Sequence, residues 1–149
     1  MTEEVSTPDA VGPRVADLVR GLAECAELTR GQAYRLRLAA DEIATNIVEH
    51  GYGGRGVLVV CGGVDDDRVW VRTEDRAPPF DPRGHDASHV LATHPAERTA
   101  GGLGLHVAMA GLDEFHYERV DGRNRNTMVV CRAGRDPGGT GSERGTRGP

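Results

Sequence analysis

Asp41-Glu42-Ile43-Ala44-Thr45-Asn46-Ile47-Val48-Glu49-His50 reads as the end of an amphipathic helix with more polar positions than packing alone requires. Leu36, Ala40, Ile43 and Ile47 recur at helical spacing and form its apolar stripe. Residues four apart on a helix lie one above the other, about 5 to 6 Å between Cβ atoms. Glu42 and Asn46 therefore project side by side from one face. A carboxylate beside a carboxamide can hold a hard cation and a reacting hydroxyl. A solvated helix face is the plainer reading of the same pair.

Outward from this segment, the spacing predicts a helix over 32–50, ended by Gly51, Gly53 and Gly54. Before it, Pro8 and Asp9 start a first helix in which Val11, Val15, Leu18, Val19, Leu22 and Ala26 repeat with helical period, and Thr29 and Gly31 break the pattern. After it, 57–61 and 68–73 are apolar, β-branched runs. Gly62-Gly63 and the acidic turn Asp65-Asp66-Asp67 separate them, which reads as an antiparallel hairpin with Val69 and Val71 facing the core. From 75 to 100 the chain carries prolines and histidines with little hydrophobic period, a length typical of lids and binding loops. A short helix follows over 101–110, then strands near 114–120 and 126–132 joined at Asp121-Gly122.

This order of elements predicts one α+β domain over 8–133, a two-layer sandwich with helices on one face of a mixed, largely antiparallel sheet of four to five strands. Residues 1–7 are expected to be a flexible lead and 134–149, rich in glycine, proline and charge, a disordered tail. The 149 residues suffice for one independently folding core. A net charge of −5 argues against nucleic acid as the main ligand. Cys25, Cys61 and Cys131 are odd in number and widely spaced, which signals neither a disulfide framework nor a zinc site. No signal-peptide core and no membrane-length apolar run is present, so a cytoplasmic protein is expected.

Three segments look specialised: the Glu42 and Asn46 face, Asp75-Arg76-Ala77-Pro78-Pro79-Phe80-Asp81-Pro82, and Arg98-Thr99-Ala100-Gly101-Gly102-Leu103-Gly104-Leu105. A glycine-rich turn feeding a helix start offers unpaired N–H groups to phosphate, and glycine lets the backbone approach closely. Taken singly, that turn reads as a hinge and Asp75 as a strand-end turn residue. His85, His89 and His94 do not complete a zinc site, because no helix or carboxylate spacing supports one.

In that order the three segments resemble the boxes of the GHKL ATP-binding fold, shared by gyrase, Hsp90-type chaperones, histidine kinases and mismatch-repair ATPases. The nearest match is its bacterial anti-sigma-factor serine/threonine kinase branch. Glu42 and Asn46, with Thr45 and His50-Gly51-Tyr52, resemble the first box; 75–82 resembles the second, and Gly101-Gly102-Leu103-Gly104-Leu105 the third. The resemblance covers 8–133. It implies that Asn46 ligates Mg²⁺, that Glu42 is the general base, and that Asp75 accepts a hydrogen bond from the adenine amino group with support from Thr127. It further implies an ATP lid over 81–100, phosphate contacts from Gly101, Gly102 and Gly104 beside Leu103 and Leu105, and a side-chain contact from Arg98.

The function this implies is an ATP- and Mg²⁺-dependent protein serine/threonine kinase that phosphorylates an anti-anti-sigma-type partner and sequesters a sigma factor, as a possible homodimer, with no direct nucleic-acid or membrane partner. The competing class is a nucleotide-gated binding regulator with little or no phosphoryl transfer. A histidine-kinase catalytic domain and a bare hydrolase are further readings. Ala77 stands where the branch has glycine. At a positive φ, or against the adenine plane, its methyl would weaken folding or nucleotide affinity by up to about 1 to 2 kcal/mol.

Overall fold

A computed structural model describes residues 2–5, 8–51, 57–84 and 100–132. Its elements are β1 (Thr2–Val5), α1 (Pro8–Ala26), α2 (Arg30–Asn46), β2 (Leu58–Val64), β3 (Arg68–Asp75), α3 (Ala100–Ala110), β4 (Glu114–Val120) and β5 (Arg123–Cys131). The strands form one sheet in the order β1-β2-β3-β5-β4. Every neighbouring pair is antiparallel, so the sheet is not mixed. The three helices pack on a single face of it, the two-layer α+β arrangement that the element order predicts.

Period explains which side of each element is covered. Val11, Val15, Leu18, Val19, Leu22 and Ala26 of α1 are all buried, as are Leu36, Ala40, Ile43 and Ile47 of the second helical stretch. They meet Leu58, Val60, Val69, Val71, Met128 and Val130, the inward half of an alternation along β2, β3 and β5. Thr29 does more than interrupt the pattern. Its hydroxyl accepts from the Gln32 N–H at 3.1 Å while the Gln32 side chain accepts from the Thr29 N–H at 2.8 Å, a capping box that starts α2. The amide of Gln32 also donates to the Cys131 carbonyl at 2.9 Å, which pins this helix start to β5.

Four expectations need correction. Thr2–Val5, expected within a flexible lead over 1–7, is a strand paired in register with β2, Thr2 opposite Cys61 and Val5 opposite Leu58. Backbone hydrogen bonding to an open edge requires no apolar alternation. Gly62 and Gly63 lie inside β2 and not in the turn, which is confined to 65–67. A Cβ on Gly62 would stand 2.6 Å from Leu22 Cδ1, and one on Gly63 2.6 Å from the Trp70 indole, so these glycines admit α1 on one face and Trp70 on the other. The second helix leaves α geometry after Asn46, and Ile47–Gly51 forms a wider π turn. The last strand starts at Arg123, closed by a two-residue turn in which Asp121 and Gly122 both have positive φ, 51° and 76°. The tail over 134–149 lies outside the described residues. Among the described residues no helix is long and apolar enough to cross a membrane.

Candidate functional site

The first box ends α2. Glu42 and Asn46 are both partly buried one turn apart, with Ile43 and Ala44 between them in the core. The third box forms the first turn of α3, so Gly101, Gly102 and Leu103 supply backbone N–H groups that have no intrahelical partner. Leu105 is buried and belongs to the core. Gly104 brings the two boxes together: a Cβ there would lie 2.7 Å from Glu42 Oε1 and 2.9 Å from Oε2. The carboxylate thus rests against the α3 backbone in space that only glycine leaves open. Desolvation there, with Asp41 and Glu49 adding negative charge, pushes the Glu42 carboxyl above its ordinary value.

Asp75 ends β3 on the inward, helix-facing side and is 3% exposed. Its two oxygens differ. Oδ1 accepts from the Ala77 N–H and from Asn124 Nδ2, each at 2.9 Å. Oδ2 is buried and has no partner among the described residues. Burial pushes the carboxyl above its usual range, against the lowering effect of the Asn124 and Ala77 hydrogen bonds and of the Arg119 charge. A buried acceptor left open is uncommon and suits a ligand that brings an N–H donor. Ala77 is not at positive φ, and its N–H and carbonyl are both hydrogen-bonded, so the methyl in place of hydrogen imposes no left-handed strain.

Thr127 does not support the base that Asp75 would hold. It pairs with Arg72 in the β3–β5 register, on the outward face, where its hydroxyl accepts from Arg72 Nε at 3.0 Å. Asn126 takes the inward position, 1% exposed, with Nδ2 donating to Thr73 Oγ1 at 3.3 Å and Oδ1 without a partner among the described residues. Asn126 lies opposite Thr73 and Asp75 opposite Asn124, so Asp75 and Asn126 are diagonal neighbours on one face. A signal for Asn126 was present in the alternation Asn124, Asn126, Met128, Val130, which sets two carboxamides in line with core residues. Arg98, His85, His89 and His94 lie outside the described residues.

The donor chemistry fits a nucleotide-borne ion. Asn46 offers one neutral oxygen, and among the described residues no group of three His, Cys, Asp or Glu side chains forms a metal cage. Mg²⁺ suits such a site, because it keeps much of its shell as water and phosphate oxygen.

A family model of the histidine kinase-like ATPase domain matches residues 5–130. The chain is similar to the serine-protein kinase RsbW of Bacillus velezensis, 29% identical over 119 residues that cover 74% of each chain. It is 32% identical over 91 residues to the serine-protein kinase RsbW of Bacillus licheniformis, spanning 56% of this chain and about half (55%) of that protein. Among solved structures, the catalytic domain of the histidine kinase ThkA superposes with a TM-score of 0.50 at 13% identity, over 89% of this chain and 97% of that one.

Proposed function

Because this chain belongs to the histidine kinase-like ATPase domain family, we propose that it is an ATP- and Mg²⁺-dependent serine/threonine protein kinase acting on an anti-anti-sigma-type protein and sequestering a sigma factor in the cytoplasm. The observation that supports the transfer step is the seating of Glu42 against Gly104, one turn into α3. A carboxylate in that place, near backbone donors suited to phosphate, supports the reading of Glu42 as the base. Similarity to a serine-protein kinase over 74% of the chain supports a hydroxyl acceptor.

In this reading the adenine amino group donates to Asp75 Oδ2, the open acceptor. Phosphate oxygens accept from the N–H groups that open α3. When bound, Mg²⁺ neutralises phosphate charge, with Asn46 as its protein ligand. Glu42 accepts the proton of the incoming serine or threonine hydroxyl; the new P–O bond forms as the bond to the β-phosphate breaks, and ADP leaves. The raised carboxyl of Glu42 moves its basicity toward that of the hydroxyl it serves.

The test is transfer of label from γ-labelled ATP, with Mg²⁺, to candidate partner proteins encoded nearby. Label on a partner serine or threonine, lost in Glu42→Gln, supports the kinase. Nucleotide binding with no transfer to any candidate favours the binding-regulator reading.

Gly104→Ala separates the site from the fold. The atom that a new methyl meets is the far end of a flexible side chain, so Glu42 swings aside while α3 gains a better helix former. Thermal unfolding is expected to be unchanged or to rise, by up to about 1 kcal/mol of stability. Transfer is expected to fall about 10- to 100-fold, since a base displaced by about 1 Å loses that much. A variant that transfers at the wild-type rate would place the base elsewhere.

A further inference from the structure

We propose that Asn124 is a positioning residue that fixes the plane of the Asp75 carboxylate, so that one acceptor position is saturated and the other is left open to the base; the inference rests on the reading of Asp75 as the adenine acceptor. Every polar atom of this side chain is committed. Nδ2 lies 2.9 Å from Asp75 Oδ1 and 3.1 Å from the carbonyls of Ala77 and Pro78. Oδ1 accepts from the Tyr117 hydroxyl at 2.6 Å and from Arg119 Nη1 at 3.1 Å. Arginine only donates and carbonyls only accept, so the amide has one orientation.

That orientation has a consequence at Asp75. The two carboxylate oxygens are equivalent, so what has to be fixed is the plane of the group and not which oxygen meets the Ala77 N–H. With Asn124 Nδ2 held in place from behind, the oxygen that meets the Ala77 N–H takes two donors and the other takes none among the described residues. The open oxygen is buried, where a hydrogen bond to charge is strongest and water competes least. Arg119 also donates to the Ala77 carbonyl at 2.9 Å, so the same cluster holds the backbone that leaves β3. Asn124 is 3% exposed and reaches the base only through Asp75 and this backbone.

The inference predicts a change in discrimination and not merely in affinity. Binding of ATP and of purine riboside 5′-triphosphate, which lacks the 6-amino group, is measured by titration calorimetry on the full chain and on Asn124→Ala and Tyr117→Phe. The wild type is expected to prefer ATP by about tenfold or more, the strength of one hydrogen bond to a charged group. Asn124→Ala is expected to lose most of that preference, because ATP weakens while the purine nucleotide does not. Tyr117→Phe, which removes one hydroxyl and keeps the ring, shifts the preference the same way by about two- to threefold and serves if Asn124→Ala unfolds. Equal weakening of both nucleotides, or an unchanged preference in both variants, overturns the role of Asn124 while leaving Asp75 as the acceptor. A wild type without preference overturns the reading of Asp75 and this inference with it.

Discussion

Glu42→Gln is expected to lower phosphoryl transfer about 10²- to 10⁴-fold while leaving ATP affinity within about twofold of wild type, as the loss of a general base does. Glutamine keeps the shape that fills the space beside Gly104, so the Glu42–α3 contact survives and only proton acceptance is lost. The charge balance favours the variant's fold. Burial, Asp41 and Glu49 raise the folded carboxyl above its unfolded value, so ionised Glu42 opposes folding above that folded value, and the opposition is relieved as pH falls through it. At neutral pH the glutamine variant should therefore melt no lower than wild type, and the difference should vanish in acid. The rate profile is the companion measurement. Wild-type transfer should rise with pH along a limb that lies above the ordinary glutamate range, and residual transfer in the variant should lack that limb. A variant that transfers at the wild-type rate would show that Glu42 is not the base.

Asp75→Asn should separate nucleotide binding from stability even more sharply. The substituted amide keeps an oxygen toward the Ala77 N–H and Asn124 Nδ2 and places its NH₂ where Oδ2 now stands open. An adenine amino group arriving there meets a donor instead of an acceptor. Loss of a charge-assisted hydrogen bond and a new donor–donor conflict together should weaken ATP about 100-fold. The fold gains from the same change, because the Asp75 carboxyl is raised by burial and its ionised form opposes folding at neutral pH. As pH rises from the unfolded to the folded Asp75 value, this variant's melting temperature should fall less than that of the wild type. Calorimetric titration beside a thermal melt checks both halves. Retained ATP affinity would remove Asp75 from the site.

Asp75 and Asn126 show why part of the site was legible in the chain and part was not. Asp75 was visible through its place in a segment between a strand and a proline-rich stretch, and Glu42 through its spacing from Asn46. The family resemblance implies a role for Thr127, yet a one-residue step along a strand reverses the face, and the register with β3 gives the inward place to Asn126. Gly62 and Gly63 misled for a related reason. Glycine in sequence suggests a turn, but here Leu22 and Trp70, distant along the chain or across a strand pair, need the room.

By itself the sequence determined the layers, through the 3.6-residue period of α1 and α2 and the two-residue alternation of the strands, and it determined the order of the three specialised segments. Only the tertiary structure decided that the edge of β2 recruits Thr2–Val5, that Glu42 rests on Gly104, and that one oxygen of Asp75 is saturated while the other stays open. Periodicity is a local property and survives in one dimension. Hydrogen-bond saturation and close approach depend on which distant residues arrive at the same place, and that is settled only when the chain packs.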